Sequence, residues 1–157
     1  MSCKPVYFFI VFLLLLLYCD YRDPLSIPTK VDEKIILFDA WNAVFLSNDA
    51  ADILEGEIHD DLLKLKISYK GGCKDHVFGL FAKKGFMESY PVQMNLFLSH
   101  DAKEDMCKAL IQSGLRFDLS PLKKLYKTTY QTTGTILLRI HEPHDSEHFK
   151  LLVVYEF

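Results

Sequence analysis

The chain has 157 residues, with 18 Lys and Arg against 21 Asp and Glu, a formal net charge of −3, and 50% apolar residues. That length suits one domain with a real hydrophobic core. The slightly acidic balance offers no basic stripe to track phosphates, so nucleic acid is not an expected partner.

The first element is an almost purely Phe, Leu, Ile and Val run from Val6 to Tyr18, introduced by Lys4 and Pro5 and ended by the polar stretch from Cys19 to Asp23. As a helix, Pro5 to Tyr18 reaches about 21 Å at ~1.5 Å per residue, short of a hydrocarbon core of ~30 Å. It has no polar face to turn to water, as a surface element of the domain would need. Residues 1–18 therefore read as an export signal. Residues 19–34 carry Pro24 and Pro28 without periodicity and read as an extended tether. Residues 35–157 read as a single β-rich domain.

Leu16, Leu17, Tyr18 and Cys19 resemble the lipobox of bacterial lipoproteins, a family with a small residue where this chain has Tyr18. The resemblance implies cleavage before Cys19, a diacylglyceryl anchor on Cys19, and a domain held at the cell envelope, facing the periplasm or the exterior. The membrane, through that lipid, and an envelope protein are the partners it implies. An uncleaved anchor and another secretory route are the alternatives.

Beyond the tether, period-two alternation recurs. Ile35 to Asp39 is an apolar run of strand length. Leu63, Leu65, Ile67 and Tyr69 alternate with Lys64, Lys66, Ser68 and Lys70, the pattern of a half-buried strand. Val77 to Phe81 follows, and Lys83, Lys84 and Gly85 read as a hairpin tip. Val92, Met94, Leu96 and Leu98 alternate with Gln93, Asn95, Phe97 and Ser99, and Leu115, Phe117 and Leu119 alternate with Arg116 and Asp118. Thr135 to Ile140 and Leu151 to Phe157 complete seven strands. A helical turn is expected from Lys103 to Ile111, where helix formers follow Asp101 as cap, and a short helix after Ser120 as N-cap with Pro121 in its first turn. The fold class expected is mainly β, an antiparallel β-sandwich of about seven strands with one or two short helices, with an α+β sheet as the alternative.

With Cys3 removed and Cys19 acylated, the domain keeps Cys73 and Cys107. An even pair in an oxidising space is most simply a disulfide. Two other chemistries use the neighbouring histidines. Cys73, His76, His100 and Cys107 contain the two thiolates and two imidazoles that suit tetrahedral zinc, and the Gly71-Gly72 pair would have to turn the chain for Cys73 and His76 to converge. The same cysteines and histidines, with Asp75, Asp101 or Asp105, also contain the residue types of a thiol hydrolase. The leading expectation remains a domain without cofactor or catalytic residues, acting as a binding or structural module; a zinc-binding or thiol-dependent protein is the alternative.

Near the C-terminus, His141, Glu142, His144, Asp145, Glu147 and His148 invite a metal reading, but their place between two apolar runs, with Pro143, reads as a polar hairpin loop. The aromatic residues Phe38, Trp41, Phe45, Phe81, Phe86 and Tyr90 read as core and cross-strand partners rather than a ligand cleft. The segments Gly71 to His76 and Ser99 to Ala102 resemble those of small uncharacterised exported bacterial proteins, in which Gly-Gly-Cys-x-x-His precedes a strand ending in Ser-His-Asp-Ala. That resemblance implies a β-rich fold and the pairing of Cys73 with Cys107, and no catalytic residue.

Overall fold

The strongest alternating segment becomes the middle of a sheet. In the computed structural model, which describes residues 33–39 and 46–157, β4 (Leu62–Gly71) buries Leu63, Leu65 and Ile67 at 0 to 2% exposure while Lys64 and Lys66 stay partly solvated. It pairs antiparallel with β3 (Ala51–His59) on one side and β7 (Ala109–Asp118) on the other, and β1 (Glu33–Lys34) adds a parallel edge to β7. A second sheet runs β2 (Ile36–Phe38), β5 (Val77–Lys83), β6 (Val92–Asp101), β8 (Thr135–Glu142), β9 (Asp145–Glu156). The inward residues of both sheets form one core, in which Leu63, Ile67, Leu96, Ile136, Ile140 and Tyr155 are fully enclosed. Each buried aliphatic side chain of this kind contributes about 1.5–3 kcal/mol through removal from water.

The described residues are thus mainly β, with nine strands in two sheets and one helix. The sheets are mixed rather than antiparallel. Three pairs run parallel: β1 with β7, β2 with β5, and β6 with β8. The chain leaves the second sheet after β6, lays β7 into the first, and returns through α1 (Ser120–Tyr130), so β8 enters beside β6 in the same direction. Alternation within a strand shows which face is buried and is blind to the direction of its neighbour.

Two local expectations are corrected. The helical turn from Lys103 to Ile111 does not form: β7 begins at Ala109, and Ala109 to Ile111 pair with Tyr69 to Gly71. Ahead of it, Asp101 Oδ1 accepts the Lys103 N–H at 2.8 Å, and Lys103 and Glu104 take left-handed φ of 50° and 58°. This side-chain turn and the sheet pairing override helix propensity. At α1 the cap residue is Leu119, not Ser120, and it makes no side-chain cap bond. Ser120 instead donates its N–H to Asp118 Oδ1 at 2.8 Å, while Pro121 sits in the first turn.

The strand absent from the sequence reading is β3. Ala51 and Ile53 point inward, a bulge intervenes between Ile53 and Glu55, and the inward set resumes at Gly56 and Ile58. One extra residue, Leu54, shifts the alternation by one and hides it. Glu33 and Lys34, assigned to the tether, already pair with Phe117 and Asp118.

Candidate functional site

The two sheets end together where β4, β5, β6 and β7 exchange chains, and His76, His100, Cys73 and Cys107 gather there. β4 terminates at Gly71. A Cβ on Gly71 would lie 2.6 Å from the His76 ring, so the glycine makes room for the imidazole, and Gly72 turns the chain at φ +117°. The turn brings Cys73 against the loop between β6 and β7, where it forms a disulfide with Cys107, with their Cα atoms 5.9 Å apart.

Asp105 organises this junction. Its Oδ1 accepts the Cys107 N–H at 2.9 Å, and its Oδ2 accepts the N–H groups of Cys73 at 2.9 Å and Lys74 at 3.0 Å. His76 Nε2 lies 3.2 Å from the same Oδ2, with both side chains enclosed at 1% and 0% exposure. The Cys107 N–H leads the donors that hold the Asp105 carboxyl far below the usual carboxylate range. Lys74 Nζ crosses the seam to the carbonyls of Lys103 at 2.7 Å and Glu104 at 3.1 Å.

Behind Asp105, His76 Nδ1 faces His100 Nε2 at 2.8 Å, and His100 Nδ1 faces the Asp49 carbonyl at 3.1 Å. The ring of His100 stacks on Phe78, 4.3 Å between centroids, with Tyr69 at its edge. Burial pushes the His100 imidazole below its ordinary range, against the pull of the Asp49 carbonyl. The whole row is Asp105, His76, His100, Asp49, with an acceptor at each end.

The sequence-derived residues therefore meet, in a different arrangement. Cys73 and Cys107 are bonded to each other, so the set Cys73, His76, His100 and Cys107 offers no thiolate to zinc in this form, and the hydrolase reading has no free sulfur here. His100 turns its Nε2 to His76 rather than toward the sulfurs. Asp105 enters as the fourth member of the junction. It stands two residues before Cys107, and that proximity is the sequence signal for it; Asp49 has none. The Gly71-Gly72 turn does form.

The C-terminal cluster divides among different neighbours. Its loop is shorter than expected, since β8 runs to Glu142 and β9 starts at Asp145. His141 stacks on Phe97 at 4.7 Å, His148 Nδ1 lies 3.3 Å from Asp145 Oδ2, and His144 Nε2 lies 3.6 Å from Glu142 Oε2. Glu142 Oε1 accepts the Ile53 N–H at 2.8 Å, beside the β3 bulge. Phe86 packs against Tyr126 and Tyr130, whereas Tyr90 is fully exposed. The signal, the tether up to residue 32, Cys19, Trp41 and Phe45 lie outside the described residues. Among the described residues, no helix is long and apolar enough to cross a membrane.

No protein-family model and no curated protein matches the chain. Solved structures do match its fold. A NigD-like immunity protein from Bacteroides caccae aligns at 18% identity and a TM-score of 0.54, over 80% of this chain and 59% of that one. A protein described only as toxin related, from Parabacteroides distasonis, aligns at 20% identity and 0.53, over 80% and 61%. A protein of unknown function from Bacteroides vulgatus aligns at 13% and 0.51, over 83% and 57%. The chain spans about three fifths of the length of these structures. At such identities the likeness concerns the fold.

Proposed function

We propose that the protein is an exported, lipid-anchored envelope protein whose β-rich domain serves as a non-enzymatic binding or structural module. The observation that carries this reading is the Cys73–Cys107 disulfide, which closes the junction of the two sheets behind an N-terminus with the features of an export signal. Disulfides of this structural kind persist in oxidising compartments. The fold likeness to proteins of Bacteroides and Parabacteroides supports the reading without naming a partner.

The surface offered for binding is the edge strand β9. Leu152 and Val154 are 48% and 52% exposed on its outward face, and Phe149 is 40% exposed. Among the described residues no further strand pairs with this edge, and such an edge with apolar outward side chains suits strand addition or face packing by a partner. Mass spectrometry of the mature N-terminus tests the anchor: a diacylated Cys19 is the expected species, and an intact Met1 or Ser2 overturns it. A photo-crosslinking residue at Leu152 tests the module. A discrete adduct in cells is expected there and absent with the same residue at Lys66 on the other sheet; equal labelling at both sites rejects β9 as the binding edge.

A further inference from the structure

Where β3 meets the end of β8, a buried carboxylate has one oxygen without a donor. The Glu142 side chain is 9% exposed. Its Oε1 accepts the Ile53 N–H at 2.8 Å and lies 3.6 Å from Lys150 Nζ. Its Oε2 makes no hydrogen bond to the described residues and faces His144 Nε2 at 3.6 Å. Asp52, the neighbour of Ile53 on β3, brings a third group. One ligand atom each from Asp52, Glu142 and His144 lies within 4.8 Å of the other two. A carboxylate taken out of water calls for a compensating charge, and here two further metal-ligating side chains stand around its open oxygen.

The spacing suits one cation. Nitrogen and oxygen ligands at ~2.0–2.2 Å from a metal stand about 3.4 Å apart at the tetrahedral angle and up to about 4.2 Å apart at wider ones. The Glu142 to His144 separation falls inside that range. Asp52 and His144 are exposed, so their side chains turn to close any remaining distance, whereas Glu142 is fixed. One imidazole with two carboxylates and no sulfur suits zinc or manganese rather than a soft ion.

We propose that Asp52, Glu142 Oε2 and His144 Nε2 form a three-ligand site for a borderline divalent cation such as zinc, with water completing the coordination. The Ile53 N–H orients the Glu142 carboxylate from behind, as groups around metal ligands do. Pro143 stands between the other two ligands and fixes one backbone angle of the short turn that carries His144. Asp52 belongs to the first sheet, and Glu142 ends a strand of the second. A bound cation therefore joins the two sheets beside the Ile53 to Glu142 bond. Of the C-terminal cluster, only Glu142 and His144 enter the site; His148 and Asp145 face each other and His141 stacks on Phe97. The site is independent of the lipid anchor and of any partner at β9.

The full, oxidised chain, without a histidine tag and freed of metal, is titrated with zinc while bound metal is counted by equilibrium dialysis and thermal unfolding is followed. One zinc per chain and an unfolding midpoint that rises with zinc concentration are expected. Cobalt in place of zinc is expected to give visible bands without sulfur-to-metal charge transfer, which separates this site from the cysteine junction. Asp52→Asn, Glu142→Gln and His144→Ala each remove one of three protein ligands and are expected to weaken zinc binding by about tenfold or more. Glu142→Gln retains an acceptor for the Ile53 N–H, so its loss of zinc is separable from a loss of folding. Lys150→Met removes the competing cation and is expected to tighten binding, and His148→Ala to leave it unchanged. A folded chain that retains no zinc overturns the proposal. So does zinc binding indifferent to Asp52→Asn and Glu142→Gln, or binding lost equally with His148→Ala.

Discussion

Gly71 shows how much one missing side chain decides. Its backbone carries the last pairing of β4, and the space of its absent Cβ is taken by the His76 ring. Gly71→Ala is expected to cost about 1–3 kcal/mol by overpacking, read as a lower urea midpoint, and to displace His76 from Asp105 in NMR spectra of the imidazole. Glu142 is a second such position, because it satisfies a buried main-chain donor across 89 residues of sequence. Glu142→Ala leaves the Ile53 N–H without its acceptor, for a loss of about 1–3 kcal/mol; amide exchange at Ile53 should quicken. At His141, burial is the main cause that holds the imidazole below its ordinary range, and neither ring nitrogen makes a hydrogen bond to the described residues. Its folded pKa is depressed, so the unfolded chain binds a proton that the folded one refuses, and stability falls as pH drops below about 6.5. His141→Phe should shrink the difference in unfolding midpoint between about pH 7.5 and about pH 5.5; an unchanged difference would show that His141 does not set it.

At the level of elements, the turn between β3 and β4 anchors three parts of the fold. Asp60 takes a left-handed φ of 53°, and Asp61 then accepts Lys123 Nζ from α1 at 2.9 Å and the Tyr155 hydroxyl from β9 at 2.7 Å. The Asp61 main-chain carbonyl accepts the Leu119 N–H at 2.7 Å, so the helix start is tied to the same turn. Lys123 first, then Tyr155, holds the Asp61 carboxyl below its usual range. A depressed carboxylate gives stability that is present above about pH 4 and is lost as pH falls through the folded value. Asp61→Asn should therefore lower stability near neutral pH and flatten the acid limb of the stability profile, measured by thermal unfolding across that range. The β3 bulge and the Lys103 to Ile111 segment show why element boundaries escaped the sequence. In the first, Leu54 shifts the alternation by one residue; in the second, good helix formers sit where Asp101 makes a turn and β4 waits with free pairing groups.

Across the whole molecule, the disulfide spans 34 residues and joins the β4–β5 and β6–β7 loops, each of which crosses from one sheet to the other. Chain-entropy reasoning gives a closed loop of that size about 3–4 kcal/mol of stabilisation. Replacing both cysteines by serine should lower the free energy of unfolding by that amount, with the urea dependence of stability as the measurement. A loss well below it would mean that Asp105 and Lys74 already hold the two loops together.

The amino-acid sequence by itself determined many of the residues that face the core, because the alternation of Leu63, Leu65 and Ile67 in β4, Met94, Leu96 and Leu98 in β6, and Leu115 and Phe117 in β7 follows directly from the pleat and from burial of apolar surface. It also named Cys73 and Cys107 as partners, since an even pair of cysteines in an exported domain is most simply a disulfide. Only the tertiary structure decided the direction of strand pairing, the rank of Asp105 above the other aspartates, and the role of His100 as a neighbour to His76. Those depend on contacts between residues tens of positions apart, such as Asp49 with His100 and Asp105 with Cys73. Local periodicity carries no record of them, because hydrogen-bond partners are chosen by where the sheets end and not by spacing along the chain.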